Sequence, residues 1–326
     1  MGDLIKQNNL LSDYDKIIFS DYELNKKLFE AYVNSSSDYF DNFGNFGNFG
    51  SFDDFNSSDS FDDFRFYGSD FNQPLSNSLN KLIYLTNIIF GYDFNQPLDN
   101  SLNNCTSLTH IVFGNKFNNP LSNSLNRLTF LTHIAFGHKF NQPLDNSLDR
   151  LISLTHVNFG SEFNQPLADS LYGLMSLTHI NFGNNFNQPI SDSLHNLPSL
   201  VHIGLGFNFN QRDGLELPFN IKSLSLNSNS MGYIEHLSNS IEEIKLGYDF
   251  NLELYNLPSS IKKISFDKSS LYNKKINCLP PGLSILQLPG KYNQQIQNVP
   301  EELSVLICHS GYKFKHSYSG VLIEKY

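Results

Sequence analysis

Five histidines recur at intervals of 23 residues in the central part of the chain, and they are the side chains best suited to chemistry. They are His110, His133, His156, His179 and His202. Imidazole is the commonest metal ligand in proteins and exchanges protons near neutral pH. Equal spacing indicates the same position in consecutive repeats, so we expect the five rings to form a row on neighbouring strands, roughly 5 Å apart.

Three interpretations of this row compete. A metal site is disfavoured because ligands in a straight row do not converge on one ion, and no carboxylate lies beside them. A partner-binding stripe and a stacked side-chain ladder both remain open. In a ladder, each ring would lie on its neighbour and exchange hydrogen bonds with a row of threonines, because a threonine precedes most of the histidines, as in Thr109-His110.

A stacked row has a consequence for pH. Neighbouring imidazoles that are both charged repel each other, so their pKa values should lie below the value of about 6.5 for a free side chain. The folded chain would then bind fewer protons than the unfolded chain. We therefore expect the repeats to lose stability as the pH falls from about 6.5 to about 5.

The rest of the sequence offers no catalytic arrangement. No GxSxG, HExxH, CxxC or phosphate-binding loop occurs. Gly204-Leu205-Gly206 lacks the third glycine of a dinucleotide loop, and the paired carboxylates near residues 53 and 62 have no scaffold to hold them at a working distance. The sequence therefore predicts a protein that is not an enzyme and has no cofactor and no catalytic or metal-binding residue.

Charge and cysteine content narrow the class further. The net charge is −10, of which −9 falls in the first 70 residues, so the remainder is almost neutral. A nucleic-acid surface needs clustered Lys and Arg, which argues against such a partner. Three widely spaced cysteines favour reduced thiols in an intracellular protein. Without a signal peptide or a long apolar run, we expect a soluble chain with no membrane contact.

The elements that position the histidines come from a 23-residue repeat. Phe-Asn pairs open at Phe71, Phe94, Phe117, Phe140, Phe163, Phe186 and Phe209. Within the unit 163–185, Leu177, Ile180 and Phe182 follow an LxxLxL pattern that is typical of one strand per coil. The SLxxL segment at 170–174 suits a turn of 3₁₀ or α helix on the opposite side. We predict a curved parallel β solenoid with a concave sheet and short convex turns, in which stacking buries each coil's apolar face.

Two further sets of residues repeat with the same period and are predicted to be structural. The asparagine of each Phe-Asn pair should satisfy backbone groups in a turn, and the glycine after each strand should allow a tight turn. The predicted structural residues are Asn95, Asn118, Asn141, Asn164 and Asn187, with Gly114, Gly137, Gly160 and Gly183.

Beyond about residue 210 the repeat shortens to 20–22 residues. Strands are predicted over 221–226, 241–246, 261–266, 283–288 and 303–308. The solenoid would comprise about twelve coils over 61–310, with residues 311–326 covering the last one, because an uncovered end exposes core. Residues 34–60, rich in Gly, Asn, Ser and Asp, read as a flexible linker after a degenerate segment at 1–33.

The recurring FNQPL motif, with FNNPL at Phe117 and FNQPI at Phe186, resembles the FNIP repeat. That family is similar to leucine-rich repeats and is typical of giant viruses and social amoebae. The resemblance covers roughly residues 61–300. It implies a repeat scaffold rather than an enzyme, and for a viral member a location in the host cytoplasm.

FNIP repeats often follow an F-box, the module that docks onto an adaptor of cullin ubiquitin ligases. Residues 10–17 resemble the back half of an F-box, and the segment also aligns with a decayed repeat. Two functions follow from these alternatives. The chain is either a free-standing, monomeric interaction scaffold that binds a protein on its concave face, or a substrate receptor that recruits a cullin adaptor through its N-terminal segment.

The residues expected to contact a partner are those whose side chains leave the strands on the concave face. Two alternating positions of each strand supply them. The candidates are Asn87, His110, His133, His156, His179, His202, Val112, Asn158, Asn181, Glu243 and Lys263.

Overall fold

The structure is a computed structural model that describes residues 64–66, 72–75, 79, 82–211, 217–227 and 237–326, with side chains from residue 72 onward. The predicted N-terminal segment at 1–33 and the linker at 34–60 lie outside the described residues, as does the first Phe-Asn phenylalanine, Phe71.

The described chain forms one parallel sheet whose thirteen strands follow each other in chain order. Each strand pairs with the equivalent residues of the next coil, as in His133 with His156. The prediction of a parallel β solenoid of about twelve coils is therefore confirmed. The strands are β1 Phe64–Phe66, β2 Asn87–Ile89, β3 His110–Val112, β4 His133–Ala135, β5 His156–Asn158, β6 His179–Asn181, β7 His202–Leu205, β8 Ser223–Leu226, β9 Glu243–Leu246, β10 Lys263–Phe266, β11 Ile285–Gln287, β12 Val305–Cys308 and β13 Leu322–Lys325.

The predicted strands of the shorter coils began too early. Each starts two residues later than expected, because the first apolar residue of the pattern, such as Ile241, is buried in the turn that leads into the strand. The C-terminal tail also does more than cover the last coil. Leu322–Lys325 adds a thirteenth strand, paired in parallel with β12.

Between the strands, the described chain consists mainly of successive turns rather than helices. Leu82, Leu85, Cys105 and Leu108 each donate a backbone hydrogen bond to the carbonyl three residues earlier, a pattern that recurs in the next coils. One short helix, α1, spans Ser191–Leu194. In the part of the chain that the structure describes, no helix has the length and apolar character needed to cross a membrane.

Two stacks of phenylalanine rings fill the core of the 23-residue coils. The inner stack runs from Phe90 to Phe182 with ring centroids 5.3–5.7 Å apart. The outer stack runs from Phe94 to Phe209 at 5.9–6.1 Å. The two rings of one coil lie 4.1–4.4 Å apart. Each buried ring contributes a few kcal/mol of apolar burial, which a single coil in water would lose.

The glycine after each strand allows adjacent coils to touch through their backbones. A Cβ atom on Gly160 would lie 1.8 Å from the carbonyl oxygen of Gly137, and one on Gly183 would lie 1.9 Å from that of Gly160. Real Cβ atoms do not approach backbone this closely. Only glycine is therefore compatible with the coil-to-coil distance at these positions.

The asparagines of the Phe-Asn pairs form a second column of polar contacts between coils. The backbone N–H of Asn164 donates to Oδ1 of Asn141 at 2.9 Å, and Nε2 of Gln165 donates to the same oxygen at 3.1 Å. The pattern repeats from Asn72 to Asn210. Each amide oxygen thus satisfies the backbone of the following coil.

Tyrosines take over from phenylalanines at the C-terminal end. Tyr272, Tyr292 and Tyr312 continue the outer stack at 6.0–6.4 Å. The hydroxyl of Tyr312 donates to the carbonyl oxygen of Gln294, and the hydroxyl of Tyr318 accepts from the N–H of Ile296. The hydroxyl of Tyr326 donates to the carbonyl oxygen of Leu288 at 2.8 Å. These contacts tie the tail to the last coils.

We expect Asn141→Leu to lower the free energy of unfolding by about 1–3 kcal/mol, because the N–H of Asn164 would lose its acceptor in a partly buried site. Urea unfolding measures this change. Asn146→Leu is the matched control, since Asn146 is exposed on a convex turn and the change should stay within about 0.5 kcal/mol. Equal effects of the two substitutions would show that the Asn141 hydrogen bond does not stabilise the stack.

Candidate interaction face

Two columns of side chains cover the concave face, where a column means the equivalent residues of consecutive coils. The first column contains Asn87, the five histidines, Ser223, Glu243 and Lys263. The second contains Ile89, Val112, Ala135, Asn158, Asn181, Gly204, Ser225, Lys245, Ser265 and Gln287. All the predicted partner-contacting residues therefore lie on one face.

The five histidines, called the histidine ladder below, stack ring on ring. From His110 to His179 the ring centroids of neighbours are 4.3 Å apart and the rings are tilted by only 9–11°. The last step, from His179 to His202, is wider at 5.3 Å with a tilt of 28°. The stack is continuous over four coils and changes at the fifth.

A column of threonines fixes the orientation of the first four rings. Thr132 Oγ1 donates its only proton to the carbonyl oxygen of Thr109 at 3.0 Å. Thr132 Oγ1 also lies 2.8 Å from Nδ1 of His133. Because the hydroxyl proton is already donated, Oγ1 accepts a hydrogen bond from Nδ1, so His133 carries its proton on Nδ1. The same pair of contacts occurs at Thr109, Thr155 and Thr178.

At the ladder position of β2, Asn87 makes the threonine contact without an imidazole. Its Nδ2 donates to Oγ1 of Thr86 at 2.6 Å, in the place of a histidine Nδ1–H. Asparagine is thus a natural replacement for histidine at the start of the ladder.

His202 differs because Val201 stands where the other histidines have a threonine. Without that acceptor the ring turns to other partners. Its Nε2 lies 3.1 Å from Oδ1 of Asn181, which can only accept, and its Nδ1 lies 3.0 Å from Oγ of Ser223. His202 therefore carries its proton on Nε2, the opposite tautomer to the rest of the ladder.

A short polar chain crosses the sheet at this end of the ladder. Nδ2 of Asn181 donates to Oδ1 of Asn158 at 2.6 Å, and Asn181 in turn accepts from His202. Asn158 and His202 are each only 2% exposed. At these two predicted contact positions the side chains therefore meet their neighbours rather than solvent, while the other ladder histidines are half-buried.

Burial lowers the pKa of every ladder histidine. It takes the pKa of His110 and His156 to about 4 and that of His133 and His202 to about 3, and at His133, His156 and His202 repulsion from other ladder imidazoles lowers the pKa further. The pKa of His179 is lowered by burial and by the charge of Lys245. These directions keep the ladder neutral at physiological pH.

The predicted charged positions of the shorter coils neutralise each other. Nζ of Lys263 lies 2.8 Å from a carboxylate oxygen of Glu243 on the neighbouring strand. Just before the strands, Glu242 bridges Lys222 and Lys262, which lie on either side of it. Both groups are exposed enough for salt to weaken them, so they give this region alternating charge rather than a patch of one sign.

Sequence reasoning missed an exposed apolar row beside the concave face, called the apolar rim. Its members lie in turns that lead into strands, at two adjacent positions of the coil; Thr106-Ser107 and Pro198-Ser199 occupy these positions in two of the intervening coils. Its members are Ile83, Tyr84, Phe130, Ile152, Met175 and Phe219, with 46–88% of each residue exposed. Comparing the two residues between the leucines of each LxxL turn, coil by coil, would have revealed this row. These positions vary between repeats, so the shared motif hides them.

The structure also contains a depression on the concave face that no motif indicated. It has a volume of about 300 Å³ and lies where the 23-residue coils meet the shorter ones. Its floor is the second column from Asn181 to Gln287, and Gly204 leaves room there for the side chain of Asn181. Small side chains at Gly204, Ser225 and Ser265 create the space.

No group of three His, Cys, Asp or Glu residues suited to holding a metal ion occurs within the described ranges. The parallel stacking explains this for the ladder. Rings related by translation point their equivalent nitrogens in the same direction, so they do not converge on one ion.

Comparison with protein families places the FNIP Repeat at residues 234–269. The chain therefore contains one segment that matches the FNIP repeat, within a solenoid similar to leucine-rich repeats. The match falls on the shorter coils around Phe250-Asn251, beyond the FNQPL motifs.

Among solved structures, this chain is similar to CroV588, described as a novel circular LRR protein. The identity is 32% over 76% of this chain, with a TM-score of 0.53. The chain spans 40% of the length of that protein.

Weaker likenesses include an internalin from Listeria monocytogenes and the Toll protein of a Drosophila Toll–Spatzle complex. The internalin has 13% identity, covers 81% of this chain and 86% of its own, and gives a TM-score of 0.46. The Toll structure has 17% identity, covers 81% and 39%, and gives a TM-score of 0.45. A search of curated proteins returned no match.

The hydrogen bonds of the ladder predict a reversal of tautomer within one row. Long-range ¹H–¹⁵N correlation spectra at pH 7.5 should show Nδ1–H rings for His110, His133, His156 and His179 and an Nε2–H ring for His202. A single tautomer for all five rings would mean that the threonine column does not set the proton position.

The lowered pKa values predict acid sensitivity with a defined sign. The unfolded chain takes up protons on these histidines from about pH 6.5, whereas the folded chain resists until about pH 3–4. The contribution of these histidines to the free energy of unfolding is therefore fully present above about pH 6.5. It falls as the pH drops, at up to about 1.4 kcal/mol per pH unit for each histidine. The loss should continue below pH 5, the lower limit expected from sequence.

Replacing His133, His156 and His179 with Asn should remove most of this pH dependence, because Asn87 shows that asparagine keeps the threonine contact. Urea unfolding at pH 7, 6 and 5 measures the slope. His195→Asn, at an exposed histidine outside the ladder, is the control and should leave the slope unchanged. A triple variant with the wild-type slope would contradict the assignment of acid sensitivity to the ladder.

Proposed function

We propose that this chain is a non-catalytic scaffold that binds a protein partner across its concave face and the adjoining apolar rim. The observation that carries the proposal is the rim. Five of seven successive coils expose a large apolar residue at these turn positions, three of them in succession with Phe130, Ile152 and Met175, although the same coils bury every phenylalanine of their core. Contiguous exposed apolar surface on a soluble scaffold marks an interaction site.

The concave face provides oriented polar side chains, which the apolar rim lacks. Its half-buried histidines are held in one orientation by the threonine column, so a partner would meet a preorganised surface at little entropic cost. The face also grades from Ile89 and Val112 at one end to Lys245 and Lys263 at the other. A partner with an apolar end and a polar end would therefore bind in one direction only.

The geometry favours binding over catalysis. The first four ladder histidines are neutral, alike in environment and engaged with threonines, and His202 is neutral as well, which leaves no acid and base with opposed pKa values in the ladder. Fold likeness alone names no partner, since repeat scaffolds keep their frame while the binding face diverges.

The test is quantitative capture of partners from host-like cytosol by the full chain and its variants. The rim variant carries Phe130→Ser, Ile152→Ser and Met175→Ser, and the face variant carries Val112→Glu. Both should lose at least about tenfold of the specific partner, in keeping with truncation of interface anchors. Leu271→Ser with Tyr248→Ser is the matched control, because these exposed apolar residues lie outside the rim.

All these residues except Val112 are exposed, so their replacement should change stability by no more than about 0.5 kcal/mol each. Unchanged capture by both variants would show that the chain does not bind through this surface. Loss with the rim variant alone would move the partner off the concave face and onto the edge of the sheet.

A further inference from the structure

The depression at the junction of long and short coils combines a cationic group with unsatisfied hydroxyls. Lys245 occupies the second column of β9, between Ser225 on β8 and Ser265 on β10. Neighbouring strands lie about 4.8 Å apart, so the two serines flank the lysine on both sides. All three residues line the depression.

The ammonium group of Lys245 is charged but lacks an ion-pair partner among the described residues. Glu243 lies on the same strand, yet its carboxylate contacts Lys263 at 2.8 Å. Burial lowers the pKa of Lys245, and the nearby charge of Lys263 opposes the favourable effect of Glu243. A half-buried ammonium in this state gains from any anion that enters.

The hydroxyls of Ser225 and Ser265 are buried, and neither has a hydrogen-bond partner in the described protein. Buried polar atoms are nearly always satisfied in folded proteins, so two unsatisfied hydroxyls beside one lysine leave hydrogen-bonding capacity for an external group. Both oxygens have almost no accessible surface, so each serine side chain has to rotate before its hydroxyl can donate to an acceptor placed over the lysine.

The charges around the depression select the sign of that group. Lys245 and Lys263 line it together with one carboxylate, that of Asp267, and an Asp267 oxygen already accepts from the N–H of Ser269. Glu243 is engaged by Lys263. The unengaged charge is therefore that of Lys245, and the serine hydroxyls beside it can donate to an anion.

We propose that this depression is a binding site for a small oxyanion, a phosphate or carboxylate group, held by Nζ of Lys245 and the hydroxyls of Ser225 and Ser265. Its volume of about 300 Å³ accommodates such a group with its immediate substituent. The proposal does not rest on the protein partner proposed above, although the depression lies on the same face.

Thermal unfolding of the full chain tests the proposal, with sodium phosphate or sodium acetate added at constant ionic strength and chloride as the reference. Phosphate also stabilises proteins in general by exclusion from their surface. That general effect is measured with Lys245→Met, which lacks the site. Lys262→Met is the matched control, because Lys262 is exposed and pairs with Glu242 outside the depression.

Binding to the folded state alone raises the unfolding temperature by mass action, so at 20 mM anion the wild type should gain roughly 2–4 °C over Lys245→Met. Lys262→Met should keep the full gain, and Ser225→Ala with Ser265→Ala should lose part of it. A gain with either anion supports the site, and the anion that gives it defines the charge preferred.

Equal shifts in the wild type, Lys245→Met and the serine double variant would overturn the proposal, because they would leave only the general effect. The serine variant distinguishes loss of the site from a folding defect in Lys245→Met, because removing two hydroxyls that have no hydrogen-bond partner should not weaken the fold.

Discussion

The rest of the solenoid depends on a close backbone contact between successive coils, at the glycine that follows each strand. At Gly114, Gly137, Gly160, Gly183 and Gly206, the backbone of one coil lies where a Cβ atom of the next would have to be. This contact sets the distance between coils. With that distance fixed, the phenylalanine stacks, the asparagine column and the histidine ladder all repeat with the geometry of neighbouring strands, and any residue type that works in one coil works in the next.

The contact ends where the coils shorten. After Gly206 the equivalent position holds Asn227, and a Cβ on Gly247 would meet the Asn227 side chain rather than backbone. The same boundary is where Val201 ends the threonine column, where His202 changes its tautomer, and where the depression forms beside Lys245. The functional features of the face thus gather at the place where the repeat loses its regularity.

Much of this architecture could be predicted from sequence because it is periodic. The spacing of Phe-Asn pairs gave the coil length, and the LxxLxL pattern assigned the ladder to one face. The tautomer reversal could also have been predicted, since Val201 cannot accept from a ring nitrogen. The burial of Asn158 could not, because it depends on how the amide of Asn181 packs against it.

The apolar rim and the depression escaped prediction for different reasons. Rim residues such as Tyr84 and Phe130 occupy positions where other coils have serine, so averaging over repeats removes them. The depression depends on side-chain size across six strands of two repeat lengths. No single motif contains Gly204, Ser225 and Lys245 together, and only their pairing in the sheet brings them side by side.

The likeness of the coils to one another also determines how such a chain can change in length. The coils from Phe94 to Asn208 present nearly the same upper and lower surfaces, so loss or duplication of one whole 23-residue unit would join surfaces that already fit. The ring stacks and the glycine contact would form again between the newly adjacent coils. A loss spanning residues 206–227 would instead join surfaces of different shape. We therefore expect the fold to tolerate the gain or loss of whole units in the long coils but not at the junction.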